Sequence, residues 1–183
     1  MSELARQMEA YTTDYIESLP EEERAELIDG VIYNLASPNR KHQKAIGSIF
    51  QSISNYIDAK GGTCEPYVAP FAVYLNADNY NYVEPDISVI CDQSKLSDRG
   101  CEGAPDWVIE VVSPSSERMD YYIKLFKYRT AGVREYWIVD IGKGRVTVYN
   151  FEALEESYEY GLEDTVKAGI FEDLEIDFKQ INI

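Results

Sequence analysis

Three ionisable residues stand where hydrophobic patterning alone would not put them. Asp86 opens the segment DISVIC directly after Pro85, Glu110 interrupts the apolar run WVIEVV, and Lys124 lies one helical turn beyond Asp120. Two carboxylates delivered by neighbouring strands suit Mg2+ or Mn2+, because these hard ions take oxygen ligands and keep several waters. Held there, such an ion polarises a phosphoryl oxygen, while a nearby ammonium orients the attacking water and offsets developing charge. The chemistry this points to is metal-assisted hydrolysis of a phosphate ester. Each residue also has a plainer reading. Asp86 could be a strand-entry or turn residue, and Glu110 could form a structural ion pair with Lys124 or Arg134. Lys124 could pair on a helix surface with Asp120, four residues earlier. His42, the single histidine, could be a packing or capping residue, and Glu26 a solvated strand residue.

The elements that must position these residues are legible from periodicity. TDYIESLP reads as a short helix capped by Thr13 and ended by Pro20. AELIDGVIYNL reads as a hairpin turning at Asp29-Gly30, the residue pair favoured in type I′ turns. Ser37-Pro38-Asn39 then opens a long helix. Its apolar stripe runs through Ala45, Ile46, Ile49, Phe50, Ile53, Tyr56 and Ile57, and Gly61-Gly62 ends it. YVAPFAVYL, PDISVIC and DWVIEVVS read as strands. WVIEVV has the near-continuous apolar character of a central strand covered on both faces. A second helix is expected from Ser116 or Glu117 to Ala131, ending at Gly132, with Tyr121, Tyr122 and Tyr128 placed to stack on bases. REYWIVD and RVTVYN complete the sheet, and the acidic tail over 151–183 is expected to add edge strands and a loop. We read 1–183 as one domain with a flexible start over residues 1–10.

Composition narrows the classes. At 183 residues with 45% hydrophobic and 27% charged residues, the chain has the make-up of a globular domain. No apolar run reaches the ~18–20 residues of a membrane span, and the polar, acidic start does not resemble a secretory signal. Three scattered cysteines, Cys64, Cys91 and Cys101, suggest reduced thiols and a cytoplasmic location rather than a disulfide framework. The net charge of −16 runs against tight, non-specific grip on DNA. The acids are unevenly spread, however: residues 151–177 hold ten of them against Lys167 alone, whereas bases gather in Arg40-Lys41-His42-Gln43-Lys44 and between Arg118 and Arg134. A cleft presents local charge to its ligand. The absence of GxGxxG and GxxxxGK[ST] disfavours dinucleotide and nucleotide binding.

Several motifs carry a family resemblance. They are Pro85-Asp86, Gly103-Ala104-Pro105-Asp106, Glu110-Val111-Val112-Ser113-Pro114-Ser115, Asp120 with Lys124 and Tyr128, and Gly132-Val133-Arg134-Glu135-Tyr136-Trp137 to Asp140. Together with YTTDYIESLP, ELIDGVIY and the His42-Gln43 helix start, they resemble the Uma-type family of bacterial restriction-endonuclease-like proteins, over about residues 11–150. That family is similar to a branch of the PD-(D/E)xK nuclease superfamily. The resemblance implies an α/β restriction-endonuclease-like fold, a central mixed β-sheet flanked by helices. The superfamily pattern expects a lysine two residues after Glu110, where this chain has Val112; Lys124 is the matching residue. The resemblance also implies that Glu26 and His42 border the same site.

The expectation is a Mg2+- or Mn2+-dependent endonuclease acting on DNA, with Asp86, Glu110 and the Val111 carbonyl on the metal. Lys124 would serve the water or the pentavalent phosphate, Glu26 a second metal or the water, and His42 a phosphate or the metal shell. The competing expectation is a catalytically silent nuclease-like scaffold that binds a protein or nucleic acid. Cutting both strands would suit a two-fold homodimer, with YWIVD or the C-terminal strands as the shared face; an unknown partner protein could instead supply DNA recognition.

Overall fold

The computed structural model describes residues 10–20, 22–153 and 157–181. The flexible start expected over 1–10 therefore lies, save Ala10, outside the described residues. In chain order the chain forms α1 (Thr13–Glu17), β1 (Ala25–Ile28), β2 (Val31–Asn34), α2 (Arg40–Lys60), β3 (Glu65–Val68), β4 (Val73–Tyr74), β5 (Tyr82–Val83) and β6 (Ile87–Ile90). There follow β7 (Leu96–Ser97), β8 (Gly100–Glu102), β9 (Trp107–Val111), a π-helical turn (Met119–Lys124) running into α3 (Leu125–Ala131), β10 (Glu135–Asp140), β11 (Arg145–Asn150), β12 (Ser157–Gly161), β13 (Thr165–Lys167) and β14 (Glu175–Asp177).

The main sheet has the order β12-β11-β10-β9-β6-β3 and is mixed: β9 and β10 run parallel, and their outer neighbours pair antiparallel. Side chains alternate across it, as the pleat requires. Trp107, Ile109 and Val111 of β9 face α2, where Ala45, Ile46, Ile49, Ile53 and Ile57 close one core. Val108 faces the other way, into a second core with Tyr128 of α3, Tyr136 and Ile138. Glu110 shares that second face. The β6–β9 register pairs Ile87 with Ile109; continued by one residue, it sets Asp86 opposite Glu110.

A second sheet, β2-β1-β5-β4-β8-β7, is built of short strands. It stands beside the expected central mixed sheet, and YVAPFAVYL does not run through as one strand. A cis Ala69-Pro70 bond falls between β3 and β4, and the two halves join different sheets. The Asp29-Gly30 hairpin is as expected, both residues having positive φ (51° and 75°). So are the helix ends: the Asn39 side chain accepts from the His42 N–H, and Gly61 and Gly132 end their helices at φ 61° and 96°. Thr13 is the first helical residue of α1, with Thr12 at the cap. The tail supplies the edge strand β12 and the separate β13–β14 pair.

Two expectations are corrected. Cys64 and Cys91 form a disulfide, leaving Cys101 free and buried. They flank β3 and β6, whose register pairs Glu65 with Ile90 and so brings the next residues together across 27 positions of sequence. The cysteine count therefore no longer argues for a reducing compartment. YWIVD cannot be a dimer face, because β10 is buried throughout and paired on both sides by β9 and β11. Among the described residues, no helix is long and apolar enough to cross a membrane.

Candidate active site

The cluster begins with Glu110 on β9, a carboxylate 4% exposed. A buried carboxylate costs several kcal/mol unless partnered. The partners come from the helix that follows: Lys124 Nζ lies 2.9 Å from Glu110 Oε1, and the Tyr128 hydroxyl donates to the same oxygen at 2.7 Å. Lys124 also reaches Glu26 Oε1 on β1, at 2.8 Å. Glu26 Oε1 in turn accepts from the backbone N–H of Glu84 at 3.0 Å. One ammonium thus ties β9, β1 and the π-helical turn together. Lysine has three donor hydrogens, and these two carboxylates engage two of them.

Asp86, at the entry to β6, is held through Oδ2. That oxygen accepts from the Val111 N–H at 2.7 Å and lies 3.2 Å from His42 Nε2. The backbone N–H of Asp86 points toward Glu110 Oε2 at 3.5 Å. A cavity of about 430 Å³ opens over the cluster, lined by Glu26, His42, Asp86, Glu110, Val111 and Lys124 together with the Ser113–Ser116 segment and Asp120.

The electrostatics follow from three buried carboxylates, Glu110, Glu26 and Asp120, sharing one buried lysine, with Asp86 beside them. Burial alone would lower the Lys124 ammonium, but Glu110, Glu26 and Asp120 outweigh it and hold the pKa well above its ordinary value. Burial pushes Glu110 up; Lys124 opposes this, and Asp86, Asp120 and Glu26 add to it. Asp120 is pushed up to about 6 by burial, against the pull of Lys124 and of the Ser116 hydroxyl, which donates to Asp120 Oδ2 at 2.6 Å. His42 is also raised: burial works to lower it, but the hydrogen bond and charge of Asp86 prevail. Tyr128 is driven well up by burial and by Glu110, so its hydroxyl stays a donor.

The structure brings together all five side chains expected at the site, and Val111 with them. The plainer readings are settled unevenly. Glu26 is 1% exposed rather than solvated, and Arg134 pairs with Asp106 and Glu152 rather than with Glu110. His42 lies buried on the apolar stripe and also contacts Asp86. Tyr128 is fully buried, so it has no face for a base, and the Tyr121 hydroxyl is bound to Asp140 at 3.1 Å. Asp120 and Tyr128 were missing from the expected site. The signal for them was the four-residue step from Asp120 to Lys124 to Tyr128, which puts all three on one helix face.

The donor set fits a divalent ion of the kind that keeps much of its water. Asp86 and Glu110 are each anchored through one oxygen, and surplus negative charge surrounds them. Among the described residues there is no group of three or more His, Cys, Asp or Glu side chains arranged to hold a metal. Two carboxylates, a carbonyl and waters are what Mg2+ commonly accepts.

Comparison with known proteins bears on the family and the fold. The Uma2 family model, described as "Putative restriction endonuclease", matches residues 9–179. A crystal structure described as "a putative nuclease belonging to DUF820", from Anabaena variabilis ATCC 29413, aligns with a TM-score of 0.74. It is 22% identical, with 93% of this chain and 96% of that chain covered, a likeness that speaks for the fold. Uncharacterized protein slr1290 of Synechocystis sp. (strain ATCC 27184 / PCC 6803 / Kazusa) is 31% identical over 98 residues. That match spans 54% of this chain and 50% of the relative.

Proposed function

This chain belongs to the Uma2 family, and from that premise we propose that it is a Mg2+- or Mn2+-dependent endonuclease that hydrolyses DNA phosphodiester bonds. The observation that carries the reading is the buried Lys124 bridging Glu110 and Glu26 beside Asp86, on the floor of an open cavity. Asp86, Glu110 and the Val111 carbonyl would hold the ion. When bound, it would polarise the phosphoryl oxygen and make its water a stronger nucleophile.

The chain's own groups do the rest. Val111 and His42 fix one oxygen of Asp86, and Lys124 and Tyr128 fix one oxygen of Glu110, so both carboxylates are oriented before substrate arrives. The remaining donor of Lys124 is free to orient water or meet charge on the phosphate. His42, whose Nε2 engages Asp86 and whose Nδ1 is buried, would act in the metal shell through Asp86.

The alternative is a silent scaffold, and the net charge of −16 favours it. Against it stands the cost of burying three carboxylates, Glu26, Glu110 and Asp120, around one lysine, which apolar residues of similar size would avoid.

The deciding measurement is calorimetric titration with Mn2+ and Mg2+ of the wild type, Glu110→Gln and Asp86→Ala. Saturable binding in the wild type, lost in both variants, is the expected result. Unchanged affinity in both would sink the ligand assignment.

A further inference from the structure

α2 has two unlike faces. Its buried stripe packs on the main sheet, and its first acid is Asp58, near the C-terminal end, in a chain with 33 acids. Before that point the exposed positions are Arg40, Lys41, Gln43, Lys44, Gly47, Gln51 and Asn55. At 100° per residue, Arg40, Lys44, Gly47, Gln51 and Asn55 fall in one narrow strip, with Lys41 beside it. The strip is roughly 24 Å long by the rise of the helix. It starts at the cavity, which Asn39, His42 and Gln43 help to line.

The cations of this strip differ from most others in the protein. Arg24, Lys60, Arg99, Lys124, Lys127, Arg134, Lys143 and Arg145 are all tied to carboxylates. Among the described residues, Arg40, Lys41 and Lys44 have neither an ion pair nor a side-chain hydrogen bond, although acids outnumber bases 33 to 17. Arg118 is likewise unpaired and exposed, next to Met119, which lines the cavity. Four unpaired cations thus lie within a few residues of chain that lines the cavity.

Gly47 is the second observation. Glycine is the poorest helix former after proline, and this one lies inside a 21-residue helix. A Cβ there would meet nothing within 4 Å, so no packing in the fold calls for its absence. A flat spot in the middle of the strip suits close approach by a ligand backbone.

We propose that the outer face of α2, from Arg40 to Asn55, docks the sugar-phosphate backbone of DNA flanking the scissile phosphate. Arg40, Lys41 and Lys44 meet phosphates nearest the cavity, and Gln51 and Asn55 hydrogen-bond further along. This rests on the nuclease reading of the cavity, but binding and metal chemistry separate experimentally. A local basic strip also accounts for how so acidic a chain can hold a polyanion.

The test is binding of fluorescent duplex and single-stranded DNA in EDTA across a range of salt concentrations. The wild type is compared with Arg40→Gln/Lys41→Gln/Lys44→Gln, with Gly47→Glu, and with Lys167→Gln/Lys179→Gln, which removes two unpaired cations outside the cavity lining. All these positions are surface residues, and circular dichroism melts check that each variant is folded. We expect the triple variant to weaken binding and to flatten the log K against log salt slope by about 3 on duplex or about 2 on single strands. Gly47→Glu should weaken binding, and the Lys167/Lys179 variant should leave it unchanged. Unaltered slope and affinity in the triple variant, or no wild-type binding at low salt, would overturn the docking face. Loss of Mn2+ binding in Glu110→Gln with the DNA slope intact would bear on the metal site alone.

Discussion

Lys124 Nζ lies 2.9 Å from Glu110 Oε1 and 2.8 Å from Glu26 Oε1, so a lysine on a helix neutralises carboxylates from two different sheets. Superfamily enzymes are expected to place this lysine on the strand itself, two residues after the glutamate. Here that position is Val112, just past β9, and the π-helical turn delivers the charge by reaching Glu110 with Lys124. The arrangement couples the candidate site to the stability of the fold. Removing the ammonium by Lys124→Met leaves Glu110 and Glu26 buried without their cation, a loss of about 3–5 kcal/mol for such broken buried pairs. Urea melts should show this, and Lys124→Met combined with Glu110→Gln should recover part of the loss. Strict additivity of the two changes would mean that the ion pair is not felt.

Tyr128 steadies the same carboxylate. Its hydroxyl donates to Glu110 Oε1 from a fully buried ring. Tyr128→Phe keeps the packing and removes one charge-assisted bond, so stability should fall by about 1–2 kcal/mol. Mn2+ affinity should weaken as well, because Glu110 loses one of its two anchors. Wild-type affinity in a fully folded Tyr128→Phe protein would show that Lys124 alone orients the glutamate.

Asp120 predicts an inverted response to pH. Burial raises its pKa from the ordinary 3.8 to about 6, so between those values the folded state holds a proton that the unfolded chain releases. Stability from this group is therefore greatest below the unfolded pKa and is lost as pH rises through about 6, by up to about 3 kcal/mol. Asp120→Asn is neutral throughout. The stability of wild type relative to Asp120→Asn should fall between pH 4 and pH 7, measured by urea melts at each pH. A constant difference would remove Asp120 from the titrating cluster.

Gly47→Ala should stabilise the fold by about 1 kcal/mol, since alanine is the better helix former and its methyl meets nothing within 4 Å. Thermal melts will read this. A loss of stability instead would reveal backbone strain at that turn.

Much of this protein could be read before any coordinates. The Asp29-Gly30 hairpin, the 21-residue helix capped by Asn39 and Gly61, and the helix ending at Gly132 depend on local rules of turn chemistry and periodicity, which act within a few residues. Asp86, Glu110 and Lys124 were legible because charge inside an apolar pattern is costly enough to need a reason. Other features were decided only by the tertiary fold, because they depend on contacts between distant segments. The partition of YVAPFAVYL between two sheets, the Cys64–Cys91 pairing, and the burial of YWIVD between two strands all follow from strand order, which no local signal encodes. So does the pairing of Glu26 with Lys124: patterning alone reads Glu26 as a solvated strand residue, and only the family resemblance sets it at the site. The sequence by itself determined which ionisable residues make up the candidate site and most of the elements that hold them. Packing of β1, β9 and the π-helical turn around one ammonium decided how those charges are shared, since the energy of a buried charge is set by neighbours far away along the chain.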